Sequence, residues 1–263
     1  MKKLKTLLLS CFAFGFAACE GPSYQADVGA MFAVASGEVA LQNSAGSLDL
    51  GSNQNDLDSN MGLGDTEPAP YVRLQMDTDK HRVRLHGFGL DTEGSGTLAG
   101  SAPGTGDFGD ILAGTPVTTA MEFFAINANY GYELWRTQDF RIAGGLQLAF
   151  YKLDVAARSA AGREEVQTDA LVPMPFIEVE GFRGPFTGGF NAGIMALDVG
   201  DGSGRYWDAE VYLKLQGEID RAVCDVMVGY RYILLDAYGE ASGRDFDADV
   251  DVQGVFVSAG IKF

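Results

Sequence analysis

The sequence predicts an all-β chain, closed into an antiparallel, up-and-down transmembrane barrel of about ten strands. Three observations carry that expectation. Long segments alternate apolar and polar residues with a period of two. The connections between them alternate strictly between long and short. No apolar span of about 20 residues follows the N-terminus, which argues against a helical membrane protein. A membrane barrel escapes that last test, because its lipid-facing residues are separated by lumen-facing ones.

The segments fall near 24–41, 67–78, 80–93, 116–136, 138–156, 168–182, 184–199, 205–220, 222–238 and 244–263. Phe124, Ile126, Ala128, Tyr130, Tyr132 and Leu134 share one face of the fourth; Asn127, Asn129, Gly131 and Glu133 share the other. In the fifth, Phe140, Ile142, Gly144, Leu146, Leu148 and Phe150 oppose Arg141, Gln147 and Tyr151. In the eighth, Trp207, Ala209, Val211, Leu213 and Leu215 oppose Asp208, Glu210, Lys214 and Gln216. Many of these segments far exceed the usual strand of about 5–6 residues, as strands that cross a bilayer at a tilt and continue past it must.

Four connections are tight, at 77–80, 136–139, 182–185 and 219–222. Five are long or loop-like, near 42–66, 94–115, 157–167, 200–204 and 239–243. Bacterial barrels place short turns in the periplasm and longer loops outside, so both termini are expected on the periplasmic side. A soluble β-barrel or sandwich in the periplasm is the alternative fold.

The 35 glycines, 17 phenylalanines and 10 tyrosines suit such a chain of turns and lipid-facing rings. The formal charge of −17 repels phosphate backbones and excludes nucleic acid as an expected partner. Lys2, Lys3 and Lys5 precede an apolar stretch from Leu7 to Ala18, which reads as a secretory signal over 1–18, leaving 19–263 as a single barrel domain.

Phe16-Ala17-Ala18-Cys19 resembles a bacterial lipobox, which implies lipidation of Cys19. It departs from that pattern at Phe16, where leucine is usual; ordinary cleavage nearby is the alternative. Val255, Val257, Ala259, Ile261 and Phe263 alternate up to a terminal aromatic and resemble the C-terminal signal of Gram-negative outer-membrane barrels. That resemblance implies the outer membrane as location, with its lipid and lipopolysaccharide as surroundings and the barrel-assembly machinery as partner. No particular family is matched, and the oligomeric state is left open.

In the last segment, Phe246, Ala248, Val250 and Val252 are apolar at even positions and Val255 onward at odd ones. A one-residue slip exchanges the faces of a strand, so a bulge is expected near Gln253-Gly254.

The faces opposite the apolar ones carry Arg73, Arg82, Arg84, His86, Arg141, Lys214 and Arg231 with Glu133, Glu178, Glu180, Asp208, Glu210, Glu218 and Asp225. These form an expected lumen network, since Arg or Lys on the lipid face costs about 2–4 kcal/mol at midplane. A filled lumen is expected of so narrow a barrel; a small cation-favouring pore is the alternative.

Asp245, Asp247, Asp249 and Asp251 recur at two-residue spacing, so they share a face. They read as a solvated or lumen-facing stripe, or as a Ca²⁺ site completed by loop oxygens. Val250 and Phe256 occupy the places where an EF-hand needs Gly and Glu, which rejects that motif. Gly104-Thr105-Gly106-Asp107-Phe108-Gly109 matches a dinucleotide fingerprint but opens no helix, so no such cofactor is expected. Asp49, Asp56, Asp58, Asp65, Glu67, Asp107 and Asp110 make the first two loops acidic, for solubility or for cation-bridged contact with lipopolysaccharide.

Omptin-type barrel proteases, which the chain resembles in strand number, use Asp–Asp and Asp–His pairs at the outer rim; barrel lipid hydrolases use Ser–His. His81 and His86 both fall beside the first tight turn, at the wrong end for either, so no catalytic residue is assigned. The expected role is non-enzymatic: structural, adhesive or loop-mediated recognition.

Overall fold

The computed structural model describes residues 21–263 apart from 101, 200, 201, 220, 221 and 242; the expected signal segment 1–18 and Cys19 lie outside the described residues. The strands are β1 (Ser23–Leu41), β2 (Asn55–Asp56), β3 (Glu67–Thr78), β4 (His81–Thr97), β5 (Pro116–Arg136), β6 (Phe140–Arg158), β7 (Arg163–Arg183), β8 (Phe186–Val199), β9 (Gly202–Ile219), β10 (Ala222–Ala241) and β11 (Arg244–Lys262). Every pairing is antiparallel; wall strands pair in chain order, β1 with β3 past the short β2, and β1 closes the ring on β11 from Gln25↔Lys262 to Leu41↔Phe246. Ten strands of 12 to 21 residues make the wall. β2 only adds two residues beside β1, at Glu38↔Asp56 and Val39↔Asn55.

The predicted face pattern governs the wall. Phe124, Tyr130, Leu146, Leu148, Phe190, Trp207, Val211, Leu213, Val226 and Val257 all point outward and are exposed. Their cross-strand neighbours alternate with buried Asn127, Gln147, Asn191, Glu210 and Ser258 on the inner face. This apolar belt ends on most strands at a charged outward residue: Glu38, Asp91, Glu122, Lys152, Asp169, Arg205, Asp236 and Asp251. Asp91 pairs with Glu122, Lys152 with Asp169 and Arg205 with Asp236, so the border is continuous between neighbours.

The expected bulge near Gln253-Gly254 is not there. β11 pairs without a register shift against both β10 and β1, and its even residues face inward from Phe246 to Ser258. The expectation assumed a polar lumen throughout. Toward the loop end the lumen is apolar, so Phe246, Ala248, Val250 and Val252 belong inside it. Gly254 serves close approach instead: a Cβ there would stand 2.2 Å from the Phe32 carbonyl oxygen. The register does shift elsewhere, between Glu133 and Trp135 where β5 meets β6.

Two seams are incomplete. β3 pairs with β4 only from Thr78↔His81 to Tyr71↔Phe88, stopping before Pro70, while the lumen behind stays closed by buried Ala69, Tyr71 and Leu90. β7 pairs with β8 only from Arg183↔Phe186 to Phe176↔Gly193, while β6 pairs with β7 along its whole length.

Candidate functional site

Most of the buried polar side chains among the described residues converge in the lumen, which is filled in layers. At the end carrying the chain termini lies an open vestibule of about 540 Å³, lined by Gln25, Asp77, Arg82, Arg141, Lys214 and others. Lys214 Nζ reaches Gln25 Oε1 at 3.3 Å.

Above it, three arginines surround two glutamates. Arg82 approaches Glu178 at 2.5 Å, Glu180 at 2.8 Å and Asp77 at 2.6 Å. Arg84 meets Glu178 at 2.6 Å; Arg141 meets Glu178 at 2.5 Å, Glu180 at 3.0 Å and Glu133 at 3.3 Å. The Tyr212 hydroxyl donates to Glu180 at 2.6 Å.

The next layer pairs Arg73 with Glu210, and Arg231 with Asp208. Asn127, Gln147 and Tyr151 also donate to Asp208, and Asn191 to Glu210. His86 lies beside Glu210, Nδ1 to oxygen 3.8 Å, fully enclosed. The Arg231 guanidinium stacks over Phe88 at 5.4 Å, which marks where ionic packing gives way to apolar packing.

From there to the loop end the interior is a hydrophobic core. Tyr71 and Phe256 stack at 4.8 Å, and Phe123, Met121, Leu90, Val155, Leu235, Phe246 and Val252 close around them. Two loops complete it. Leu57, Met61 and Leu63 from the first, with Phe108 and Ile111 from the second, are wholly buried. The loops are tied to one another: Asn55 Nδ2 donates to the Gly106 carbonyl at 3.2 Å, and Asn53 Oδ1 accepts from the Gly106 and Asp107 amides at 2.9 Å.

The acidic loop residues were expected to be exposed, and Asp107 is a correction. It is buried and accepts from the Gly104 and Ala113 amides at 2.8 and 2.7 Å, because a cap without such ties would leave those amides unpaired. Asp49, Asp56 and Asp110 likewise tie loop serines. The Ser44 amide and hydroxyl hold the Asp110 carboxyl below its usual range.

Asp245, Asp247, Asp249 and Asp251 line the outer wall beyond the belt, not the lumen. Tyr232 donates to Asp251 at 2.6 Å, and Asp249 stands opposite Asp236 on one side and Glu38 on the other. Among the described residues no three carboxylates, histidines or cysteines gather to hold a metal ion. Val255, Val257, Ile261 and Phe263 face outward, as the terminal pattern predicts.

His81 sits at the β3–β4 turn, Nδ1 2.8 Å from the Tyr130 hydroxyl, and His86 is in mid-lumen. Neither reaches the loop end. The pattern of sequence did not reveal the apolar half of the lumen or the cap residues. The run Leu57, Met61, Leu63 inside an otherwise polar loop was the available signal.

No protein-family model matches the sequence, nor does any curated protein sequence. In fold, the chain is similar to the outer membrane protease OmpT of Escherichia coli, with a TM-score of 0.53 at 11% identity over 92% of this chain and 96% of that one. The fold is that of Gram-negative outer-membrane β-barrels. Weaker likenesses are Ail of Yersinia pestis (TM-score 0.35, 9% identity, 93% of this chain, 100% of that) and the transport unit of the autotransporter AIDA-I of E. coli (0.39, 9%, 98% and 95%). At such identities only the architecture is shared.

Proposed function

We propose that this chain is a non-enzymatic outer-membrane barrel that presents a folded loop cap for recognition or adhesion, with both termini in the periplasm. One observation carries the reading: the barrel axis is closed twice, by the Arg–Glu layers and again by the apolar core with its cap. A barrel closed in this way offers one polar surface at the vestibule by the termini and the other at the loop end, which is the extracellular one. A groove of about 760 Å³ there, lined by Ser59, Gly96, Thr97, Pro116, Arg158 and Ala160 among others, is the natural contact surface. The position of both histidines away from that surface supports a role without His-dependent chemistry. The apolar belt and the terminal strand support insertion by the barrel-assembly machinery into a membrane of lipid and lipopolysaccharide.

Two measurements test this. Purified barrel in planar bilayers passes no ionic current at any voltage; steady cation-selective conductance would favour a pore instead. Cells displaying the wild-type barrel adhere to or retain an extracellular ligand, and Thr97→Glu with Arg158→Glu abolishes that without loss of folded barrel. Retention of the phenotype in the double variant sinks the recognition role of the groove.

A further inference from the structure

The incomplete seam between β7 and β8 has a cause in the sequence. The Phe182 amide donates to Asp139, next to the first residue of β6, so even residues of β7 turn their amides toward β6 and odd ones toward β8. Pro173 and Pro175 are odd. Both lack the amide that β8 would need, and pairing stops at Phe176↔Gly193, immediately before Pro175. β6, on the other edge, pairs through both prolines.

The notch lies within the belt. Leu171 and Ile194, at its sides, are outward and more than half exposed; Asp169 is the next outward residue on β7, and Arg205 of β9 pairs with Ala196 on the far edge of β8. Behind it the interior is reachable. Ala170, Met195, Tyr206 and Ala237 face inward yet are only partly buried, whereas Phe123, Leu153 and Val250 on strands away from the notch are closed off. A cavity of about 30 Å³ lies there among Leu153, Ala170, Tyr206, Leu235, Ala237 and Ala248. It admits the terminal carbons of an alkyl chain and no headgroup.

The charges of the border match. The outward charges bordering the belt are acidic on β1, β4, β5, β7, β10 and β11 and basic at Lys152 of β6 and Arg205 of β9, the strands flanking β7 and β8; these two meet Glu122 at 3.8 Å and Asp236 at 2.9 Å in solvent-exposed pairs that a phosphate can share. We propose that the β7–β8 notch is a lateral docking site for one acyl chain of a phosphate-bearing lipid in the surrounding leaflet. The chain end enters the apolar lumen and the phosphate lies near Lys152 and Arg205. This goes beyond the recognition reading and does not depend on it, since the axis can be sealed with the wall open sideways.

The test places a bimane reporter at Ala170→Cys or Met195→Cys in a chain whose other cysteines are serine, reconstituted in phospholipid bilayers with brominated acyl chains. Ala209→Cys on the outer face and Ala149→Cys on the buried inner face of β6 are the references. Only barrel that migrates in the folded position on an unheated gel is scored. Bromolipid quenches both notch reporters as strongly as it quenches Ala209→Cys, and aqueous acrylamide quenches neither. Pro173→Val with Pro175→Val restores the two amides and lowers bromolipid quenching to the Ala149→Cys level. Lys152→Gln with Arg205→Gln weakens it. Quenching like that of Ala149→Cys in the parent overturns the proposal, as does quenching by acrylamide alone, which would mean a water-filled notch.

Discussion

Arg231 holds Asp208 with two nitrogens, Nε 3.1 Å from one carboxylate oxygen and Nη2 2.7 Å from the other, where both side chains are buried. The pair sits at the boundary between the ionic and apolar halves of the lumen, under Phe88. Burying two charges is costly, and the cost is offset only while each keeps its partner and hydrogen bonds. Arg231→Met therefore leaves Asp208 charged with only neutral donors around it. The expected loss is about 3–5 kcal/mol, read as a lower urea midpoint for unfolding from lipid vesicles. Adding Asp208→Asn recovers part of it, because the amide needs no countercharge. An unchanged midpoint for Arg231→Met would show that the pair does not secure the lumen.

The cap makes a second prediction. Leu57 lies in a connection between strands, yet its side chain is as buried as any in the barrel. Leu57→Ala removes core volume that the tied loops cannot refill, at an expected cost of about 2–5 kcal/mol. Asp58→Asn, the next residue along, exposed and of nearly the same size, should fall within about ±0.5 kcal/mol. Equal midpoints for the two variants would mean that the loop only rests on the barrel. The same burial means that removing 42–66 and 94–115 exposes the core, so point substitutions in the groove are the cleaner probe of recognition.

How much of this could be read beforehand depended on which periodicity was consulted. The wall follows from alternation alone: Phe124 to Leu134 and Asn127 to Glu133 fall on the faces that the period of two requires. The alternation of turn and loop lengths gave the ring its even strand number. What failed was the assumption that an apolar face must meet lipid. Along β11 it placed Phe246 to Val252 outside and forced a break at Gly254, when the true change was in the lumen's chemistry along its axis. The ionic residues were legible as inward, but not their pairing, because Arg231 and Asp208 become neighbours only through the β9–β10 register and the closing of the ring. Pro173 and Pro175 were visible too, but their effect depends on which edge their missing amides face.

On the outer wall, Asp249 stands directly across from Asp236 in the β10–β11 ladder and from Glu38 in the β1–β11 ladder. Partial burial raises its carboxyl above the usual range, and Asp236 adds to this. A carboxyl raised in the folded state favours folding below its unfolded pKa, and that contribution is lost as pH climbs through the raised value. Asp249→Asn should then stabilise the barrel at neutral pH by a few tenths to about 1 kcal/mol, the range for like charges facing across strands. The gain should vanish on acidification to near pH 4, close to the ordinary carboxylate range. Midpoints measured in urea at the two pH values check both halves, and a gain that persists in acid would assign the effect to something other than charge.

At the other end of β11, the backbone of Phe263 is bonded in both directions to Tyr24, at 2.9 and 2.8 Å, while its ring is largely exposed and only stacks on Tyr24 at 6.0 Å. The ring closes through main-chain bonds that any residue could make. The aromatic side chain is then free to act as a recognition element for assembly, which is the role its resemblance to barrel termini suggests. Phe263→Ser should refold into detergent micelles with a midpoint within about ±0.5 kcal/mol of wild type, as expected for an exposed site. In cells the same variant should yield far less heat-modifiable barrel in the outer-membrane fraction, with unassembled chain accumulating or degraded. Equal loss in both settings would make Phe263 a stability residue, and equal success in both would mean that the assembly machinery reads some other part of β11.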